Sequence, residues 1–134
     1  MAPRPVLIAA ATRDPFLPDL VRLLRSRGGE VLVAHDAETT ARLARLRHPA
    51  AIVLDTVLQD GDGICLCRRL KATADTRNIP VFFFSVLMAR DRSLEAGAEG
   101  FMLKPVEQEL LLSHLLRIRE LADPPLRRFL VGLR

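Results

Sequence analysis

Five short apolar runs, each closing on a turn or a polar residue, constrain this chain more than any other feature: Pro5 to Ala11, Glu30 to Ala34, Ala51 to Asp55, Ile79 to Ser85 and Gly100 to Lys104. Continuous apolar runs of this length, without strict alternation, read as strands buried on both faces. Between them the apolar residues recur at helical spacing. Leu17, Leu20, Val21, Leu23 and Leu24 lead to a stop at Gly28-Gly29, with Pro18 tolerated near the first turn. Asp36 is placed as the N-cap of a helix that ends at His48-Pro49. Ile64, Leu66, Cys67 and Leu70 mark a third helix, Ala89 to Ala96 a short fourth, and Pro105 is expected to begin a long fifth through Leu121. Strands that alternate with helices form a parallel sheet through right-handed crossovers, so the expectation is an α/β fold with helices on both faces.

With 134 residues the chain is sized for one domain, expected over residues 1–122, with a basic apolar tail at 123–134. The tail is expected to pack as a last helical turn or to serve a homodimer or partner contact. No apolar run reaches the ~20 residues of a membrane span and no signal peptide is evident, which leaves a cytoplasmic protein as the expectation. Cys65 and Cys67 sit two apart on a helix, so their side chains diverge and close neither a disulfide nor a metal site. Direct nucleic-acid binding is not expected. Twenty basic residues face sixteen acidic ones, the excess is scattered, and no groove-reading motif or aromatic stacking platform accompanies it.

Strands of a parallel sheet carry their chemistry at the carboxyl end. Three of the runs end there in a carboxylate, Asp55, a hydroxyl, Ser85, and an ammonium, Lys104. Together they describe a site in which Asp55 could carry a phosphoryl group, Ser85 donate to one oxygen and Lys104 neutralise another. A purely structural Lys104–Asp55 pair is the alternative.

Over about residues 4 to 121 the chain resembles the receiver domains of two-component response regulators. The resemblance rests on Val53-Leu54-Asp55, Asp62-Gly63, Ser85, Gly97-Ala98-Glu99-Gly100-Phe101 and Lys104-Pro105. It implies a flavodoxin-like (βα)5 fold with strand order 2-1-3-4-5. It also implies an aspartyl phosphate at Asp55, a switch hydroxyl at Ser85, an aromatic switch at Phe101, a cis peptide before Pro105, and a histidine kinase or other signalling protein as partner.

The chain departs from that pattern at the end of the first strand. Receivers place an acidic pair there to hold Mg²⁺; the window here is Ala10-Ala11-Thr12-Arg13, and Asp14 falls late, expected on the first helical turn. The metal site reduces to Asp55 and the Val57 carbonyl, with Arg13 as a candidate counter-charge for a phosphoryl group. The proline usual after the phosphoacceptor strand is missing from Val57-Leu58-Gln59, and the Ser85 to Lys104 interval is short for the family. Phe101 therefore reads equally as core filler.

Two versions of the function stay open: a phosphorylated receiver of atypical metal dependence, and a phosphorylation-independent pseudo-receiver acting as a binding module, either without an attached output domain. A non-enzymatic role is expected. An aspartyl-nucleophile phosphotransferase or hydrolase would need a general acid or base near Asp55, and His35, His48 and His114 are expected away from that edge. A nucleotide or flavin site is disfavoured because Thr12-Arg13-Asp14-Pro15 lacks the glycines of a phosphate cradle.

Overall fold

The computed structural model describes residues 4–122. The elements run β1 (Val6–Ala9), α1 (Leu17–Ser26), β2 (Val31–Ala34), α2 (Ala37–Arg47), β3 (Ala51–Leu54), β4 (Val57–Leu58), β5 (Gly61–Asp62), α3 (Gly63–Ala72), β6 (Val81–Ser85), α4 (Arg90–Glu95), β7 (Gly100–Leu103) and α5 (Gln108–Ala122). Five of the strands form one parallel sheet in the order β2-β1-β3-β6-β7, which is the 2-1-3-4-5 order expected from the sequence.

The period-two alternation of side chains divides the core into two layers. Leu7, Ile52, Leu54, Val81, Phe83 and Phe101 pack beneath α2, α3 and α4. Val6, Ile8, Val53, Phe82, Phe84 and Met102 pack beneath α1 and α5. β3 is the central strand and every residue of it is buried, which is why its sequence shows no polar alternation.

The helix boundaries follow local chemistry. Asp36 caps α2, its Oδ1 accepting from the Thr39 amide at 2.6 Å, and His48 ends that helix in the left-handed region. Asp62 caps α3 through the Ile64 amide at 2.7 Å. Pro18 lies in the first turn of α1, where a missing N–H costs no helical bond.

Two expectations need correction. The segment after Asp55 is not a plain loop but contains a small antiparallel hairpin, with Val57 opposite Asp62 and Leu58 opposite Gly61. Pro105 does not begin α5 either. The chain first turns through residues 105–107, where the Gln108 amide donates to the Pro105 carbonyl at 3.1 Å, and the Lys104–Pro105 peptide is cis as the resemblance implied. The tail at 123–134 lies outside the described residues.

Candidate phosphoryl site at the carboxyl edge

The sheet ladder continues one residue past the strands and thereby fixes the site. The Asp55 amide donates to the Ala9 carbonyl at 2.9 Å, and the Lys104 amide to the Ser85 carbonyl at 2.9 Å. By alternation Asp55 follows Val53, and Lys104 follows Met102, onto the α1–α5 face. There Lys104 Nζ donates to Asp55 Oδ2 at 2.7 Å. Its hydrocarbon stem lies in the sheet core, with Nζ 5.6 Å from the centre of the Phe84 ring.

A second carboxylate completes the cluster. Asp14 also accepts from Lys104 Nζ, and all three side chains are nearly buried. Asp14 is not on the first turn of α1, as expected, but ahead of it. Its amide donates to the Ala11 carbonyl at 3.1 Å, and its Oδ1 accepts from the Phe16 amide at 2.9 Å. The turn folds the chain back over the strand ends and delivers an acidic group that counting along the strand places too late. Two carboxylates and one ammonium leave a formal local charge of −1, so Lys104 does not face Asp55 alone. Arg13 is exposed and pairs with no carboxylate among the described residues.

Ser85 sits on the other face. Alternation along β6 turns it with Val81 and Phe83 toward α2, α3 and α4. Its hydroxyl is fully buried, 2.8 Å from Thr56 Oγ1, and accepts from the Leu87 amide at 3.1 Å. The expected convergence of three side chains is thus direct for Asp55 and Lys104 and indirect for Ser85, which reaches Asp55's neighbour instead. Thr56 was not among the sequence candidates, although its position directly after Asp55 was the available signal.

Phe101 is buried, with the Arg90 guanidinium 5.6 Å from its ring centre. Val57 is exposed at the start of the hairpin. His35, expected away from this edge, stands at its outer end just past β2; the Ala10 carbonyl can only accept, so the His35 Nδ1 at 2.8 Å carries a proton. His114 stacks on Phe82 from α5 with 5.4 Å between ring centres.

The loop that follows Asp55 is tied down by three hydrogen bonds. Thr12 Oγ1 donates to Gln59 Oε1 at 3.0 Å, the Gln59 amide to the His35 carbonyl at 3.1 Å, and the Ala37 amide to Asp60 Oδ1 at 2.6 Å. The Gly63 amide donates to the Thr56 carbonyl at 2.8 Å, and a Cβ at position 63 would lie 1.9 Å from the Asp55 carbonyl oxygen, so only glycine fits. An open cleft of about 480 Å³ separates the hairpin from the β6–α4 loop, bounded by Thr56, Val57, Ile64, Leu87, Met88 and Arg92.

Comparison with known proteins agrees with this architecture. A family model for the response regulator receiver domain matches residues 13–116. The response regulator PleD of Caulobacter vibrioides is 38% identical over 95 residues, covering 69% of this chain and 20% of PleD. This chain spans between a fifth and about half the length of the curated relatives it matches. A receiver domain of a signal transduction histidine kinase from Syntrophus aciditrophicus superposes with a TM-score of 0.74 at 28% identity, over 87% of this chain and 90% of that one. The receiver domain of the sensor histidine kinase PA1611 from Pseudomonas aeruginosa, solved with magnesium in its active-site cleft, has the same fold: TM-score 0.74, 23% identity, 90% of this chain and 99% of that one. With the sheet order, the Asp55–Lys104 pair and a family match over most of its length in agreement, the chain belongs to the response regulator receiver domain family.

Proposed function

We propose that Asp55 is the phosphoacceptor of a two-component signalling relay. The observation that carries this reading is the contact between Asp55 Oδ2 and Lys104 Nζ, 2.7 Å apart at the carboxyl end of the central strand. In transfer, an Asp55 oxygen forms a bond to phosphorus, and the bond from phosphorus to the donor, a phosphohistidine or a small acyl phosphate, breaks with its electron pair leaving on the donor. Lys104 is placed to follow the new charge onto a phosphoryl oxygen, since a charge-assisted bond to phosphate is at least as favourable as one to carboxylate. Ser85 is the hydroxyl that can donate to a second oxygen after turning from Thr56. Phe101, buried with the Arg90 guanidinium 5.6 Å from its ring centre, is the candidate aromatic responder.

The donor set fits Mg²⁺. Magnesium takes hard oxygen ligands, one or two of them carboxylates, with water and phosphate oxygens supplying the rest. Asp14 and Asp55 provide two carboxylates in a cluster of net negative charge, and the Val57 carbonyl is the third candidate. When bound, the ion would neutralise phosphoryl oxygens during transfer. Asp14 thus takes the part of the acidic pair, and Arg13 is not needed for it. The site works in signalling, with a histidine kinase or another signalling protein as donor, and not in turnover of a substrate. No helix among the described residues is long and apolar enough to cross a membrane.

The test is a phosphate-affinity gel after incubation with acetyl phosphate and Mg²⁺. A retarded band is expected for the wild type and not for Asp55→Ala, and chelation of the metal should diminish it. An unretarded wild type would favour a constitutive binding module on the same fold.

A further inference from the structure

Thr56 follows the acceptor directly, so alternation turns its side chain to the face opposite that of Asp55. It is 6% exposed, and its hydroxyl lies 2.8 Å from that of Ser85, which is completely buried. Ser85 is also held from the other side. Its oxygen accepts from the Leu87 amide at 3.1 Å, in the loop that exposes Val86, Leu87 and Met88 to solvent. A hydroxyl has one proton and two lone pairs, so Leu87 and Thr56 together engage most of what Ser85 has to offer. Either hydroxyl can supply the proton of the Thr56–Ser85 bond; in the arrangement where Ser85 supplies it, its single proton is committed to Thr56 and has to turn from this clasp to reach an oxygen of a phosphoryl group on Asp55.

We propose that Thr56 is a positioning residue that clasps Ser85 in its resting orientation and so sets how readily an anion on Asp55 recruits it. This rests on the reading of Asp55 as acceptor and Ser85 as donor. The bond is shielded from water, where a hydrogen bond is stronger and its loss more costly than at the surface. Its net worth is that of one buried neutral bond, which amounts to a bias of about fivefold in the equilibrium between the resting and recruited orientations. The clasp also joins the residue beside the acceptor to the exposed apolar loop, so release at Thr56 and movement at Leu87 are one event.

Titration with beryllofluoride and Mg²⁺, followed by calorimetry and by backbone amide spectra, tests this on wild type, Thr56→Val and Thr56→Ser. Thr56→Val, which keeps the shape and loses the hydroxyl, should bind the phosphoryl mimic about fivefold more tightly than wild type. The free variant should show its Leu87 amide displaced toward the wild-type bound position, and Thr56→Ser, which keeps the hydroxyl, should behave as wild type. A merely structural role would weaken binding or leave it unchanged. If wild type binds and Thr56→Val binds no more tightly, the clasp is overturned while the acceptor assignment stands. If wild type itself does not bind, the acceptor assignment falls and takes the clasp with it. Thr56→Ala carries the same expectation should the valine variant fail to fold.

Discussion

At Lys104 one ammonium serves two carboxylates, and its near burial makes the arrangement sensitive to any change in either partner. Removing Lys104 would leave two nearly buried carboxylates uncompensated, the costly way to break such a cluster, whereas removing either aspartate leaves a one-to-one pair. The two cysteines show how differently neighbouring side chains can be placed. Cys65 is exposed and Cys67 is buried, two residues apart on α3. Burial pushes the Cys67 thiol up to about 11, so its nucleophilic thiolate is scarce at neutral pH. Iodoacetamide at pH 7.5 should label one thiol per folded chain, at Cys65, and the second only after denaturation; mass spectrometry of labelled peptides reads the outcome. At this scale the sequence was partly legible. Asp55 and Lys104 could be placed because a strand end has a direction. Asp14 could not, because its reach depends on a turn in which its amide donates to the Ala11 carbonyl and its carboxylate accepts from the Phe16 amide. Ser85 was visible as a strand terminus, but the face it takes follows from the strand's register, and with that the partnership with Thr56.

Among the elements, α2 depends most plainly on its first residue. Hydrogen bonds from Thr39 hold the Asp36 carboxyl below its ordinary 3.8. A depressed folded-state value contributes stability that is fully present above the unfolded value and is lost as pH falls through the folded one. Thermal unfolding between pH 6 and pH 2.5 should therefore show the wild type losing ground to Asp36→Asn from about pH 4 downward, because asparagine caps comparably without titrating. The cap of α2 and the glycine stop of α1 were legible because their signals are local. The β4–β5 hairpin was not, since two-residue strands within Val57 to Asp62 carry no periodicity to detect. The late start of α5 has a similar cause: the Leu103 amide is taken by the Glu107 carboxylate at 2.9 Å, which holds a turn where a proline alone suggested a helix.

Across the whole molecule, one sheet is shared by two apolar layers. Leu70 from α3 lies in one, Leu111 from α5 in the other, and each is almost wholly inaccessible. Because every strand contributes to both layers, neither can come apart while the other persists. Leu70→Ala and Leu111→Ala should each lower stability by about 2–5 kcal/mol. Both should do so within a single urea transition of unchanged slope, monitored in parallel by circular dichroism and amide spectra. Two separable transitions would mean that the faces are independent. The contact at Gly63 belongs to this scale as well, for it sets how closely the loop after Asp55 can approach the start of α3. A screen that scored signalling alone would rank position 63 alongside position 55. On the proposed function, the defect at 55 would be a missing nucleophile, whereas at 63 it would be a steric collision with the main chain that carries it.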